Sequence, residues 1–380
     1  MQQRIRYGMV GGGEGAFIGA VHRNAAQLDG EYELVCGAFS SDPERARRSG
    51  AALGLPASRC HADWRALIEQ EATLSPDQRM QCLVIATPND QHAGPARLAL
   101  EHGFHVLSDK PATLTLDESR QLAALLDGTG LLYGLTHTYT GYPMIQEARA
   151  RIASGALGTV RKIIVEYIQG WLSAPLEQEQ PLWRLDPARA GTSCCMGDIG
   201  VHAFNLCEYV SGLRTTRLSA ELNRIVPGRV LDDDGTVLLH FDNGARGVLL
   251  ASQVCLGEEN GLRLRVFGDK ASLDWQQMEP NSLWLRHPHR PVELIRSGQA
   301  WTGAAAQSHT RLPPGHPEGY IEAFANLYRH FAAQIRAHAA GQVVTHRVPG
   351  IQEALRGMAF IEATVHSSAA DNAWLDLPAF

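Results

Sequence analysis

The chain has 380 residues, 19% of them charged, a formal net charge of −6 and seven cysteines. That length favours two domains over one, and the mild, well-mixed acidity, with no basic stripe, points away from nucleic acid and anionic membrane surfaces and towards a small soluble substrate. No apolar run approaches the ~20 residues that span a bilayer, the opening Met1-Gln2-Gln3-Arg4-Ile5-Arg6 lacks signal-peptide character, and an odd set of cysteines without a Cys-x-x-Cys pair fits neither a disulfide framework nor a zinc site, so the chain reads as cytoplasmic with no metal.

In chain order, a β-rich run from Ile5 to Val10 enters Gly11-Gly12-Gly13-Glu14-Gly15-Ala16, and an amphipathic stretch from Phe17 to Leu28 follows. A G-x-G-x-x-A pattern falls on Gly11, Gly13 and Ala16, where a minimal side chain lets the backbone turn tightly and a pyrophosphate approach a helix N-terminus. The strand before it and the helix after it supply the context a dinucleotide-binding turn requires, with Gly15, Phe17 and Ile18 completing it. Further strands are expected at Tyr32 to Phe39, Cys82 to Ala86, His105 to Ser108 and Leu132 to Leu135. Helices are expected at Pro43 to Leu53 behind the Ser41-Asp42 capping pair, Gln91 to His102 with a stop at Gly103, and Asp117 to Leu126. This alternation predicts a parallel sheet with crossover helices up to about His137.

After Thr140 the pattern changes to longer alternating strands: Val160 to Ile168, Thr215 to Val226, Gly235 to Phe241, Ala245 to Gln253, Gly261 to Gly268 and Ala271 to Trp275. Turn sequences at Asp242-Asn243-Gly244 and Gly268-Asp269-Lys270 predict an open, largely antiparallel sheet. Pro280 to Pro314, rich in proline, glycine and histidine, reads as irregular surface, and helices are expected at Glu318 to Ala337 and Ile351 to Ala369. The fold class is therefore α/β, a dinucleotide-binding domain followed by an α+β domain.

An acidic residue at the end of the second strand, which would bind a ribose 2′-hydroxyl, is missing. Ser40 and Ser41 stand there with Arg45 just beyond, a set that suits a 2′-phosphate, so the expected cofactor is NAD(P)(H), leaning to NADP; Asp42 still competes for the ribose. Thr87, Pro88, Asn89 and His92 follow the third strand at the edge where open α/β sheets place ligands, and Asp109 and Lys110 follow the fourth, with Pro111 stiffening the turn. An ammonium there can bond a substrate oxygen and a cofactor hydroxyl together, although a solvated lysine is the plainer reading. Asp198 and His202, four apart, would share a helix face as a general acid/base pair, against a plain N-cap aspartate or a structural histidine; as a metal site they are too few. Tyr139, at the junction of the two halves, is placed to face a cleft. Trp171, Trp183 and Arg184 offer a stacking wall for a sugar ring, against the commoner use of tryptophan in cores. His316 is a loop histidine with either a substrate or a surface role.

Together the glycine turn at Gly11 to Ala16, Thr87-Pro88-Asn89, Asp109-Lys110-Pro111 and the Asp198 to His202 spacing resemble the Gfo/Idh/MocA oxidoreductases over essentially the whole chain. The resemblance implies an N-terminal Rossmann domain, 1–137, and a C-terminal domain, 138–380, that binds substrate and makes homodimer or homotetramer contacts through its open sheet. The family's usual Glu-Lys-Pro is Asp109-Lys110-Pro111 here, with the lysine in place. Carried over by position, Lys110 resembles the substrate-anchoring lysine, His202 the acid/base and Asp198 its partner in holding the substrate. A narrower likeness, through Gly15 to His22 and Thr138 to Pro143, is to dehydrogenases of levoglucosan-like or inositol-like polyols. The implied reaction is reversible oxidation of a secondary alcohol of a sugar or polyol, with the hydroxyl proton assigned to histidine because its reference pKa of about 6.5 lies nearer neutrality than the lysine value of about 10.4. Two rivals differ in outcome: an NAD-dependent glycosidase of the same fold, and a catalytically silent dinucleotide sensor, which would have no need of a proton-transfer set.

Overall fold

The computed structural model describes residues 3–175, 182–342 and 347–380. They form two compact units, one of Met1–Thr136 with Phe324–Leu355, the other of His137–Ala323 with Arg356–Phe380.

The first unit is built on five parallel strands, β1 (Ile5–Gly11), β2 (Tyr32–Ala38), β3 (Cys82–Ala86), β4 (His105–Ser108) and β5 (Tyr133–Leu135), in the order β2-β1-β3-β4-β5. The crossovers carry α1 (Phe17–Leu28), α2 (Pro43–Ala52), α3 (Trp64–Thr73), α4 (Ala93–Glu101) and α5 (Leu116–Leu126). Every residue of the central β3 is buried, as a parallel strand covered on both faces requires. Leu67 and Ile68 of α3, Ala96 and Leu100 of α4, Leu122 of α5 and Val10, Leu83 and Ile85 of the sheet make one core.

The segment Phe324–Leu355, which the sequence alone assigns to the second half, belongs to this unit for a local reason. Phe331 packs where a Cβ on Gly134 would lie 3.1 Å from its ring, the Leu135 N–H donates to the Pro349 carbonyl at 2.8 Å, and Arg336 pairs with Glu31.

In the second unit nine strands, β6 (Val160–Ile168), β7 (Thr215–Asn223), β8 (Asp234–Phe241), β9 (Arg246–Ser252), β10 (Gly261–Gly268), β11 (Ser272–Gln276), β12 (Ser282–His287), β13 (Arg290–Arg296) and β14 (Leu375–Asp376), lie in the order β13-β12-β11-β10-β6-β9-β8-β7-β14. Only β6 and β9 run parallel. Its helices are α6 (Pro143–Ala153), α7 (Pro187–Ala190), α8 (Val201–Ser211) and α9 (Ala304–Ser308); α10 (Tyr320–Ala339) and α11 (Ile351–Ala369) are divided between the units. Alternation along β6, β8 and β10 buries one face, on which α8 packs.

The stretch from Pro280 to Pro314, expected to be irregular, contains the β12–β13 hairpin and α9. Leu283, Leu285 and Ile295 alternate inward, but the turn His287-Pro288-His289-Arg290 and Pro291 mask that period. Proline is tolerated in β13 because that strand is the sheet edge.

Candidate functional site

The turn after β1 is shaped by backbone, not side chains. Gly11 has φ +78° and a Cβ there would collide with the Ala86 carbonyl; on Gly13 it would lie 2.7 Å from the Phe39 carbonyl and 2.8 Å from Ser49 Oγ. The turn is pinned to the residue after β2 by Gly13 N–H to Phe39 O (3.2 Å) and to α2 by Glu14 N–H to Ser49 Oγ (3.0 Å), and Arg23 donates to the Gly12 carbonyl. At the N-cap of α1, Ala16 provides no side-chain acceptor, which leaves the first-turn amides to an external anion. A pyrophosphate fits this cradle. Gly13→Val should therefore lower cofactor affinity by about 100-fold or more, read by fluorescence titration, with β1 and β2 still paired in the unliganded fold.

Beyond β2, the Asp42 carboxylate accepts from the Glu44 and Arg45 amides at 2.9 Å each and caps α2; those backbone bonds hold it below the usual carboxylate range. Ser41 and Arg45 are exposed and Ser40 is half-buried. At the C-terminal edge of β3 and β4 the two ligand-edge loops are tied together by His92, which is buried, with Nδ1 2.7 Å from the Pro111 carbonyl and Nε2 2.9 Å from that of Thr87. Both ring nitrogens of His92 thus face the protein's own backbone, and the residue joins the loops that carry Asn89 and Lys110. Asp109 Oδ1 accepts from the Lys110 amide at 2.8 Å and from Thr136 Oγ1 at 2.9 Å. Burial would raise the Asp109 carboxyl, but His22, Lys110 and His92 outweigh it and hold the group well below its ordinary value.

In the second unit, Asp198 lies in a π turn, Met196–Gly200, that runs into α8 and so precedes His202. It is not the cap of α8, whose N-cap position is Gly200. The turn is anchored from outside: Asp232 accepts from Ser193 Oγ (2.9 Å) and from the Cys194 (3.0 Å) and Met196 (3.1 Å) amides, and Ser193 Oγ accepts from the Gly197 amide at 3.2 Å. Burial raises the Asp232 carboxyl, which these donors oppose. Gln253, fully buried, donates from Nε2 to Asp198 Oδ2 at 2.9 Å, and Arg184 Nε lies 3.4 Å from Asp198 Oδ1 while its guanidinium stacks 4.5 Å over Trp183. His202 stands edge-on to Tyr139, ring centroids 4.9 Å apart, with its Nδ1 3.4 Å from His137 Nδ1. Tyr139 bonds Tyr167 through the hydroxyls and accepts from Asn260 Nδ2 at 3.3 Å; the network continues through Gln169 to the half-exposed Trp171.

Residues 5–137 match the family model of the oxidoreductase family with NAD-binding Rossmann fold, and residues 145–274 match the GFO/IDH/MocA C-terminal domain. YfiI, an uncharacterized oxidoreductase of Bacillus subtilis, is 31% identical over 98% of this chain and 96% of its own. The chain belongs to the Gfo/Idh/MocA family. Its oxidoreductase identity and NAD-binding Rossmann domain follow from these matches. An inositol dehydrogenase homolog from Azotobacter vinelandii, solved with NAD+, is 37% identical, covers 99% of this chain and 98% of that one, and superposes with a TM-score of 0.95. Levoglucosan dehydrogenase of Pseudarthrobacter phenanthrenivorans is 24% identical over 99% of each chain.

Within this Gfo/Idh/MocA chain the π turn brings Asp198 against Arg184, which stacks on Trp183, and the start of α8 brings His202 against Tyr139. Trp183 also packs on Leu172, Cys194 and Leu231, so it is partly a core residue as well. His316 is exposed and bonds within its own loop, to the Pro313 carbonyl at 3.2 Å. Gln253, Asp232, Ser193 and His137 were missed by sequence reasoning. Gln253 ends a predicted strand and His137 a predicted domain, but neither bears a spacing to Asp198 or His202 that reveals contact.

Proposed function

We propose that the chain reversibly oxidises a secondary alcohol of a sugar, inositol or related polyol with a nicotinamide cofactor. The observation that carries the substrate class is the whole-length likeness to the Azotobacter vinelandii inositol dehydrogenase homolog, which was also solved with NADH and myo-inositol, at 36% identity over 99% of this chain. The nicotinamide supplies the hydride acceptor; the protein's residues supply the rest. Gly11, Gly13, Gly15, Ala16, Phe17 and Ile18 would hold the pyrophosphate, and Thr87, Pro88 and Asn89 would border the cofactor. Lys110 binds the reacting oxygen and stabilises its developing negative charge, His202 takes the hydroxyl proton, and Asp198, its carboxylate fixed by Gln253, holds a neighbouring hydroxyl. Tyr139, Trp171, Trp183 and Arg184 would shape the sugar pocket.

The same reading assigns the adenosine 2′ position to Ser40, Ser41 and Arg45 and favours NADP(H), since the Asp42 carboxylate is occupied as a cap. Fluorescence titration should then give tighter binding of NADPH than of NADH, and Arg45→Glu should reverse the preference by about tenfold or more, the worth of a charge-assisted bond. Equal or better binding of NADH in the wild type would return the chain to plain NAD use, as in the relatives solved with it. A panel of inositols, sugars and anhydrosugars with the preferred oxidised cofactor tests the reaction: absorbance growth at the reduced-nicotinamide band supports a dehydrogenase, release of a leaving group without net reduction supports the glycosidase, and binding without turnover supports the sensor.

The chain is also proposed to act as a homodimer or homotetramer. On the open face of the nine-stranded sheet, Leu238, Val248, Ile164, Arg265, Asp274, Trp284 and Leu294 are cross-strand neighbours in one continuous row, and Leu238 and Leu294 are more than two-fifths exposed.

A further inference from the structure

The first unit holds a buried polar chain that the reaction as proposed does not use. His22, on α1, is fully buried, and its Nδ1 lies 2.7 Å from the Tyr328 hydroxyl, which arrives from a residue 306 positions away on α10. Burial pushes the Tyr328 phenol well up, which keeps it neutral and able to donate to that nitrogen. Nε2 faces a carboxylate oxygen, Asp109 Oδ2, at 3.9 Å, an ion-pair distance rather than a hydrogen bond, and that negative neighbour favours the tautomer with the N–H on Nε2 and Nδ1 accepting from Tyr328. The other carboxylate oxygen, Oδ1, receives the Lys110 amide and the Thr136 hydroxyl. Ring packing leaves His22 little freedom, for it stands edge-on to Phe324 at 4.8 Å and to Tyr328 at 5.9 Å.

We propose that Tyr328 and His22 are positioning residues for the reaction: through Asp109 they fix the backbone of Lys110, and hence where its ammonium meets the substrate. This rests on the reading that Lys110 anchors the substrate. A carboxylate in a buried setting goes where its donors are. Two donors on Oδ1 leave Oδ2 less firmly held, and an N–H directed at Oδ2 across 3.9 Å biases the carboxylate electrostatically towards this orientation. A phenol donating into the imidazole fixes the tautomer that makes this possible, and neither residue needs to touch substrate.

The test uses the full-length protein and two shape-conserving variants, Tyr328→Phe and His22→Phe. With the polyol turned over fastest by the wild type, both should lower kcat by about tenfold while the cofactor dissociation constant stays within about twofold, because sub-ångström misplacement of one catalytic group penalises the transition state more than cofactor binding. Side-chain 15N NMR of the wild type should show His22 protonated at Nε2, and the Lys110 amide resonance should shift in both variants. Unchanged kcat in both variants, a Lys110 amide that does not move, or an Nδ1-protonated His22 would each overturn the proposal. If the wild type turns over no polyol, the functional reading fails by itself, and the two NMR measurements still decide whether the chain holds Lys110. Should His22→Phe not fold, Tyr328→Phe decides alone.

Discussion

His202→Ala is expected to lower kcat by about 10²–10⁴-fold, the usual worth of a positioned general acid/base, with the cofactor dissociation constant essentially unchanged. The pH-rate limb that reports the base in the wild type should vanish with it. Lys110→Ala is expected to act differently, raising KM as well as lowering kcat, since an anchoring ammonium contributes to ground-state binding and to oxyanion stabilisation alike. Asp198→Asn keeps the shape and the Gln253 contact but removes the charge that faces Arg184, and should fall between the two. The decisive comparison is between the first pair: normal turnover by His202→Ala together with complete loss in Lys110→Ala would transfer the proton-transfer role to the lysine. The structure gives His202 its setting through local physics. The π turn at Met196–Gly200 adds a residue to the helix start, and the Asp232 carboxylate and Ser193 hydroxyl hold the amides that such a turn leaves without intrahelical acceptors.

What could be read from the chain, and what could not, divides along the same physical line. The glycine turn was legible because its requirement is local: Gly11 must reach positive φ against the Ala86 carbonyl, and only one residue type does so cheaply. The five parallel strands and the largely antiparallel second sheet were legible for the same reason, as short-range periodicity. Asp198 and His202 were legible as a spacing, but not the turn type between them. Gln253 and Asp232 reach Asp198 and its turn from positions 55 and 34 residues away in sequence, through contacts that carry no periodic signal. Likewise His92 reads as a ligand-edge residue, whereas both its ring nitrogens face backbone carbonyls, those of Thr87 and Pro111. The return of Phe324–Leu355 to the first unit depends on Phe331 meeting Gly134, a contact between residues nearly 200 apart that no window of sequence contains.

Arg356→Met is expected to destabilise the fold by about 3 kcal/mol, because the buried Glu208 carboxylate then keeps only the half-exposed Arg214, 3.1 Å away, as its counter-charge. Arg356 of α11 and Glu208 of α8 are each more than nine-tenths buried. The guanidinium bonds both carboxylate oxygens of Glu208, the Thr215 carbonyl at 2.8 Å and the Pro378 carbonyl at 2.7 Å, while Glu208 also accepts the Thr215 amide at 2.7 Å. One residue pair thus joins α8, α11, the start of β7 and the C-terminal segment, beside the Phe204–Phe360 stack with centroids 4.3 Å apart. Urea unfolding followed by circular dichroism should show the loss, and the double variant Glu208→Gln/Arg356→Met should recover part of it, because the amide still accepts from Thr215 and no buried carboxylate is left short of its partner, while the Thr215 and Pro378 carbonyls still lack their donor. A single-variant effect below about 1 kcal/mol would mean that the site relaxes or admits water. Glu208 lies six residues beyond His202, roughly 9 Å along the helix at 1.5 Å per residue. Turnover measured well below the unfolding midpoint should therefore stay near wild type, separating the stability of the helix that presents His202 from the chemistry proposed for it.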